Sequence, residues 1–255
     1  MRYIESRSNK IIVDIRKLIS SKKHRREEGL FVCDGQKYLD DALKSKADIK
    51  SVFISRDIPD GCFDIPEDIQ VYRLSENVMD SLSEAKTPQG VMFTVKLPDT
   101  ELCESVLSGN NIILENLQDP GNVGAILRSA DAFGLSAAIL TGSCADPFSP
   151  KSLRGASGAV FRLKIYETGL SGLLELAERS PLRIIAAELS GRAQSVREIN
   201  LKNSSVVIGN EGSGISKELL SICAESVIIP MKSGCQSLNA AAAAAVLMYE
   251  MNIDR

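Results

Sequence analysis

Five short apolar segments recur from residue 112 onward, and they constrain the fold more than any other feature of the chain. They are the segments IIL, AAIL, RIIAAEL, VVIG and VIIP. Several lack the alternation of apolar and polar residues that a half-exposed strand shows, so these strands are expected to be covered on both faces. The stretches between them have helical character. The C-terminal part of the chain is therefore predicted to be an α/β domain built on a parallel sheet.

The first third of the chain predicts a second, smaller α/β layer. Helices are expected at 9–20, 36–45 and 76–82, alternating with strands at LFVCDG, SVFIS, IQVYRL and GVMFTV. The segment KLPDTELCESVLSGNN then breaks the alternation with proline, glycine and polar residues. We therefore predict a domain over 1–98, a linker over 99–110 and a second domain over 111–255.

Composition excludes several classes of protein. The 255-residue chain has no apolar run near the ~20 residues of a membrane span and no signal-peptide core. We therefore expect a cytoplasmic location and no membrane partner. The six cysteines form no CxxC pair, and His24 is the single histidine. A zinc site needs clustered ligands, so no metal is expected.

Charge is distributed unevenly along the chain. Residues 1–50 contain 13 Lys and Arg against 8 Asp and Glu, whereas the whole chain has a net charge of −3. The run RKLISSKKHRR at 16–26 contains six basic residues and no acidic one. Such a run can be a solvated helix face, or it can contact phosphates, since counterion release favours binding without any reading of sequence. The acidic remainder of the chain favours the second interpretation.

The segment NLQDPGNVGAILRSADAFG at 116–134 predicts a helix after the first apolar strand. Asp119 followed by proline is a typical helix start. Gly121, Gly124 and Arg128 then share one stripe of the helix, at spacings of three and four. The glycines would leave a groove in which Arg128 and free backbone N–H groups could hold a phosphate. Close packing of a second helix on the small residues explains the same stripe equally well.

Two further turns follow apolar strands. VVIGNEGSGISKELL at 206–220 has a glycine-rich turn, but its glycines are in the wrong order for a dinucleotide fingerprint and no Walker lysine follows. VIIPMKSGCQSLNAAAAA at 227–244 places Ser-Leu-Asn at the start of a final helix. Taken singly, these segments are explained by a tight turn and by a helix N-cap at Ser237 or Asn239.

Together, in this order and spacing, the three motifs resemble those of the SpoU (TrmH-like) family of RNA ribose 2′-O-methyltransferases. They lie at 122–128, 209–214 and 229–239. The resemblance is strong over 110–255. It is weaker over the N-terminal part, where EEGLFVCDG and KTPQGVMFTVK resemble that family's substrate-binding domain.

The resemblance implies a fold, a cofactor and an assembly. The catalytic domain would be an α/β domain whose C-terminal segment forms a deep trefoil knot, preceded by a small α/β substrate-binding domain. The cofactor would be S-adenosylmethionine, with Gly209, Ile229 and Leu238 lining its pocket and the strand end at 187–189 contributing. Members of the family are homodimers. In such a dimer the helix that carries Arg128 would pack near the final helix.

The resemblance also implies catalytic roles, with Arg128 activating the ribose hydroxyl. Deprotonating a guanidinium at pH 7 costs roughly 7–9 kcal/mol. We therefore favour a cation that binds the adjacent phosphate and stabilises the forming alkoxide. The resemblance further implies that four polar residues orient the hydroxyl and hold the loops: Asn122, Glu211, Ser237 and Asn239.

RNA is the expected substrate, with large-subunit rRNA favoured because of the N-terminal domain and tRNA second. A non-catalytic RNA-binding module that keeps the same fold is the alternative class. A nucleotide-dependent dehydrogenase or NTPase fails on glycine order and on missing motifs.

Overall fold

The computed structural model describes residues 2–84, 88–102, 109–179, 182–232 and 237–252. It divides into two compact units. The first unit contains residues 1–98 together with 148–153, and the second contains residues 99–147 together with 154–255. Each unit has its own sheet.

The first unit is a mixed α/β layer. Its elements, in chain order, are β1 (Arg2–Ile4), α1 (Lys10–Ser20), α2 (Lys22–Glu28), β2 (Leu30–Asp34), α3 (Gln36–Lys44), β3 (Ile49–Ser55), β4 (Gln70–Leu74), α4 (Glu76–Asp80) and β5 (Val91–Lys96). The strands have the order β1-β4-β3-β5-β2. β1 and β3 are parallel to β4, whereas β5 is antiparallel to both β2 and β3.

The helices and strands predicted for this region are all present, and two elements were not predicted. β1 has only three residues, which is too short for an alternating pattern. α2 has the sequence KKHRREE, which contains no apolar residue and therefore no helical periodicity to detect. By contrast, α1 buries Ile12, Ile15 and Leu18 at helical spacing, and this stripe packs into the core of the unit.

The basic run 16–26 covers the end of α1 and most of α2, and one of its arginines is internal. Arg25 has an exposed fraction of 4%. Its Nη1 donates hydrogen bonds to the carbonyls of Leu18 (2.5 Å) and Ile19 (3.0 Å), which are among the orphan acceptors at the C-terminus of α1. The expectation that the whole run contacts phosphate is therefore wrong for Arg25, because this side chain is a helix cap.

The second unit contains the predicted parallel sheet. Its elements, in chain order, are β6 (Asn111–Glu115), α5 (Pro120–Ala132), β7 (Ala137–Thr141), α6 (Pro150–Ala156, which begins in the first unit), β8 (Lys164–Thr168), α7 (Leu170–Arg179), β9 (Ile184–Ala187), β10 (Gln194–Ser195), β11 (Ser205–Ile208), α8 (Lys217–Ser221), β12 (Glu225–Ile228) and α9 (Ala240–Met251). The seven strands have the order β10-β12-β9-β11-β6-β7-β8, and every pairing is parallel.

The apolar segments of the sequence occupy the centre of this sheet. All residues of β6, β7 and β11 are buried, as expected for strands covered on both faces. The two strands that were not predicted lie at the edges of the sheet. β8 has the sequence KIYET, with only two adjacent buried residues and no alternation, and β10 has only two residues. After β11 the chain crosses β9 to form β12, and α9 then packs against α5 and β11.

α5 begins where the sequence predicts, directly after Asp119. The Asp119 carboxylate accepts a hydrogen bond from the N–H of Asn122 (2.9 Å) and caps the helix. The glycine stripe, however, is not an open groove. A Cβ on Gly155, near the end of α6, would lie 3.1 Å from the Cα of Gly124 and 3.2 Å from the carbonyl oxygen of Gly121. Of the two interpretations that the sequence left open, the structure therefore supports the close helix contact through small residues.

The part of the chain that the structure describes has no helix long and apolar enough to cross a membrane. Within the same ranges, no group of three or more His, Cys, Asp or Glu could hold a metal ion. Cys33, Cys62, Cys144 and Cys223 are free thiols. Two other predicted features, the linker segment 103–108 and the segment 233–236 of the third motif, lie outside the described residues together with their cysteines.

Candidate active site

A cavity of about 700 Å³ lies at the carboxyl ends of β9, β11 and β12. This edge of an open parallel sheet is where ligands bind, and the volume is within the roughly 300–1,000 Å³ of small-molecule sites. The strand end at 187–189, as predicted from the resemblance, forms part of its wall. The cavity also brings together six of the eight residues predicted for the site: Gly209, Glu211, Ile229, Ser237, Leu238 and Asn239.

Gly209 marks the point where β11 enters the glycine turn, which comprises residues 209–216. Asn210 and Gly214 exchange backbone hydrogen bonds of 3.0 and 2.9 Å across this turn. A Cβ on Gly209 would overlap the carbonyl group of Gly214 and lie 2.6 Å from the nitrogen of Ile215. Glycine is therefore required at 209 by a close backbone approach, since its φ is outside the left-handed region.

Asn210 holds the glycine turn from within. Its Oδ1 accepts hydrogen bonds from the backbone N–H groups of Gly212 (2.9 Å) and Ser213 (3.1 Å), and its Nδ2 donates to the carbonyl of Asn116 (2.9 Å). This residue was not among those predicted for the site. The signal in the sequence is an asparagine directly after a strand-ending glycine, a position where its side chain can bond to the backbone of the turn.

Three of the predicted polar residues form one hydrogen-bonded series, which we call the amide chain: Glu211, Asn122 and Asn239. Asn122 Nδ2 donates to Glu211 Oε1 (2.8 Å), and Asn239 Nδ2 donates to Asn122 Oδ1 (3.0 Å). Asn239 Oδ1 in turn accepts from the N–H groups of Ala241 and Ala242 and caps α9. The amide chain thus connects Asn122 to Glu211, which is 89 positions away in the sequence, and to Asn239, which is 117 positions away.

The direction of the amide chain is fixed by chemistry. An ionised carboxylate can only accept, so Asn122 must present its NH₂ group to Glu211. The Asn122 oxygen is then left to accept from Asn239, whose own oxygen is already committed to the start of α9. Each side chain therefore orients the next.

Arg128 and Ser237 are placed differently from the amide chain. Ser237 lines the cavity and makes no hydrogen bond with the described residues. Arg128 is exposed, lies outside the cavity lining and has no hydrogen bond or ion pair with any residue that the structure describes. It follows Asn122 by six residues, which is about 9 Å along a helix. The structure thus leaves Arg128 apart from the cavity of its own chain.

Glu188 adds a negative charge to the cavity wall. Its Oε1 accepts hydrogen bonds from Ser226 (2.6 Å), Ser190 (3.0 Å) and Arg192 (3.0 Å). Burial alone would raise the pKa of this carboxyl, but these donors and the Arg192 charge outweigh it and lower the pKa. Burial and the nearby Glu188 raise the pKa of the Cys223 thiol to about 11. Glu188 is therefore ionised at neutral pH, whereas Cys223 is a neutral thiol.

The fold and the cavity define an α/β protein with a ligand-sized cavity built from loops at the carboxyl edge of a parallel sheet. Residues 109–249 match the model of the SpoU rRNA Methylase family, and residues 9–92 match that of the MRM3-like substrate binding domain. The chain belongs to the SpoU rRNA methylase family.

Relatives of the chain include the 23S rRNA (guanosine(2553)-2′-O)-methyltransferase RlmP of Bacillus subtilis, 30% identical over 253 residues that cover 98% of this chain and 99% of that protein. Human mitochondrial rRNA methyltransferase 3 is 28% identical over 297 residues, which cover 91% of this chain and 70% of that protein. The crystal structure of an AdoMet-bound rRNA methyltransferase from Sinorhizobium meliloti has a TM-score of 0.86 at 27% identity, covering 98% of this chain and 97% of that chain.

These findings confirm the predicted family. They also confirm the predicted fold class, a parallel-sheet α/β domain of the trefoil-knotted SpoU type with a small α/β unit before it.

Gly209→Ala tests the glycine turn. The added Cβ meets backbone, which cannot give way without moving the turn, so we expect affinity for S-adenosylmethionine to fall by roughly tenfold or more, about 1.4 kcal/mol. Titration calorimetry measures the affinity, and circular dichroism checks the fold. Gly191→Ala is the matched control, because Gly191 is not part of the cavity lining, its φ is outside the left-handed region and an added Cβ would meet no atom within 4 Å. A folded Gly209→Ala protein with normal affinity would contradict the assignment of Gly209 to the cofactor pocket.

Proposed function

We propose that this chain transfers a methyl group from S-adenosylmethionine to a ribose 2′-hydroxyl of structured RNA, with large-subunit rRNA as the substrate. The observation that carries the proposal is the amide chain, which brings the three motifs of the sequence together beside a cofactor-sized cavity. At the level of the family, the predicted class of activity and its cofactor are confirmed. tRNA is the second candidate substrate.

The cavity suits this cofactor. Ile215, Ile229 and Leu238 offer apolar surface for an adenine ring. Because Gly209 has no side chain, the backbone N–H and C=O groups of the cavity wall at this point are not covered by one. The ionised Glu188 suits a ligand that carries hydroxyl and ammonium donors. When bound there, S-adenosylmethionine supplies an electrophilic methyl group on a positively charged sulfur.

The amide chain and Ser237 are proposed to orient the acceptor hydroxyl. Asn239 fixes the start of α9, Glu211 belongs to the glycine turn, and Asn122 joins them. In-line displacement requires the hydroxyl oxygen to approach the methyl carbon along one direction, and holding that geometry supplies much of the acceleration. Ser237, which has no partner among the described residues, offers a hydroxyl to the incoming ribose.

Arg128 is proposed to bind the phosphate next to the reacting ribose and to stabilise the alkoxide as it forms. A guanidinium stays protonated in proteins and presents a planar fork that matches phosphate. Its exposure, and the absence of a partner within the described residues, leave it available to an anion from outside the chain. A positive charge at a developing oxyanion contributes to catalysis without any proton transfer to the arginine.

We also propose that the chain acts as a homodimer through the face formed by α5 and α9. α9 exposes Val246 (39%) and Tyr249 (55%), and the Tyr249 ring packs edge-on against Phe133 at 6.0 Å between centroids. Exposed large apolar residues beside a site favour an interface. Sedimentation of the full chain should give the mass of two copies, and a monomer at micromolar concentration would contradict this interface.

We further propose that the two domains have separate roles in RNA binding and in catalysis. Residues 1–98 would bind RNA, 99–110 would link the domains, and 111–255 would carry the chemistry in the cytoplasm. The match to a substrate-binding domain supports this assignment. So does a set of exposed basic residues at the junction of α1 and α2, which we call the basic surface: Arg16, Lys17, Lys22 and Lys23.

The full chain incubated with methyl-labelled S-adenosylmethionine and total rRNA tests the activity. We expect label in large-subunit rRNA, resistant to alkaline cleavage at the modified position. Arg128→Ala should lower transfer by about 100-fold, the usual loss for an electrostatic stabiliser, while leaving cofactor affinity unchanged. Bound label without transfer would identify a non-catalytic RNA-binding module, label in tRNA would favour the second substrate, and substantial turnover by Arg128→Ala would reject its proposed role.

The basic surface can be tested by the salt dependence of RNA binding. Replacing its four residues with Gln should weaken binding and flatten the log–log slope by about 0.7–0.9 for each phosphate that the protein no longer neutralises. The matched control replaces four exposed lysines elsewhere in the same unit, Lys44, Lys46, Lys50 and Lys96, and removes the same charge. Equal slopes for the two variants would show that the basic surface is a solvated helix face.

A further inference from the structure

Glu115, the last residue of β6, is an acidic residue with an exposed fraction of 1%. A buried carboxylate is tolerated only when hydrogen-bond donors compensate its charge. Both of its oxygens accept from one residue: the N–H of Ser216 lies 2.8 Å from Oε2, and the Ser216 hydroxyl lies 2.5 Å from Oε1. Ser216 is the last residue of the glycine turn and the N-cap of α8, where its Oγ also accepts from Leu219 N–H.

Asn116, the next residue, fixes the other end of the glycine turn. Its φ of 55° lies in the left-handed region, which asparagine tolerates better than most residues. Its carbonyl accepts from Nδ2 of Asn210 at 2.9 Å, and its Oδ1 accepts from the N–H of Ser143 at 2.7 Å. Because Asn210 also organises the turn internally, this hydrogen bond connects β6 to the turn as a whole.

The register of the sheet explains why two consecutive residues reach both ends of the turn. β6 and β11 are parallel neighbours, with Leu114 opposite Ile208. The chain therefore leaves β11 beside Glu115 and Asn116, loops out through Glu211, and comes back to the same place at Ser216. The turn is held where it starts and where it ends, and the cavity lining and Glu211 lie between these two points.

We propose that Glu115 and Asn116 are positioning residues for the cofactor site. They hold the glycine turn in the conformation that binds the cofactor and that presents Glu211 to Asn122. Neither residue lines the cavity, so they act through Ser216 and Asn210. This inference rests on the proposed function, because it takes the glycine turn to be the cofactor-binding segment.

Glu115→Gln changes the donor–acceptor balance with little change in shape. Ser216 offers two donors, whereas a glutamine side chain offers one acceptor oxygen and an NH₂ group, so one buried donor loses its acceptor. If the turn then occupies its binding conformation about a tenth of the time, the apparent dissociation constant for the cofactor rises about tenfold. Ser216→Ala removes the hydroxyl from the same contact, and Ser216→Thr restores it.

The experiment is calorimetric titration of the full-length variants with S-adenosylhomocysteine, combined with hydrogen exchange of the protein without ligand. We expect about tenfold weaker binding for Glu115→Gln and Ser216→Ala, faster exchange confined to 209–216, and recovery in Ser216→Thr. Asn210→Asp should behave in the same way. It removes the NH₂ group that donates to the Asn116 carbonyl but keeps the oxygen that accepts from Gly212 and Ser213. Glu218→Gln, an exposed charge removal in the first turn of α8, should match the wild type.

The outcomes separate this inference from the proposed function. Failure of the wild-type chain to bind S-adenosylhomocysteine would refute the cofactor assignment, while the exchange data would still report on the turn. Wild-type affinity and exchange in the folded Ser216→Ala and Asn210→Asp proteins would overturn the positioning role. Faster exchange spread evenly over β6, β7 and β11 would show that these contacts only stabilise the fold. If Glu115→Gln does not fold, the Ser216 and Asn210 variants decide the question.

Discussion

A carboxylate that can only accept hydrogen bonds determines the arrangement of the site. Glu211 draws the NH₂ group of Asn122 toward the glycine turn, which leaves the Asn122 oxygen for Asn239 and so fixes the start of α9. The three groups lie at the surface, so each hydrogen bond adds only about 0.5–1.5 kcal/mol to stability. Their importance lies in geometry: they hold three loops from distant parts of the sequence in one orientation beside the cavity.

The parallel sheet makes this arrangement possible. Because β9, β11 and β12 run in the same direction, the loops that follow them open at the same edge. The glycine turn then depends on backbone proximity, since the backbone of Gly214 and Ile215 occupies the space where a side chain at 209 would stand. The buried side chain of Glu115 and the backbone carbonyl of Asn116 hold this turn at the end of β6, while Glu211 lies at the surface. The glycine turn therefore contacts both a buried residue, Glu115, and a surface residue, Asn122.

The sequence predicted five of the seven strands of the parallel sheet, β6, β7, β9, β11 and β12, because their apolar runs follow directly from burial on both faces. It could not predict β10 or α2, since a two-residue strand and a helix without apolar residues carry no periodicity. The glycine stripe of α5 had two valid interpretations, and only the position of Gly155 on α6 decided between them. The motif residues were found by resemblance, but Asn210 and Glu115 were missed because their partners, at Asn116 and Ser216, depend on the register of β6 against β11.

The role of the amide chain is tested most directly by the rate of methyl transfer in Asn122→Asp. This change replaces the Asn122 amide, which donates to Glu211, with a second carboxylate at nearly constant size. We expect a folded protein whose transfer rate at neutral pH is lower by about 100-fold, the cost of misplacing a reacting group by roughly 1 Å. The rate should recover partly as the pH is lowered, because a proton shared by the two carboxylates restores a donor. Wild-type transfer at neutral pH by folded Asn122→Asp would contradict the claim that the amide chain organises the site.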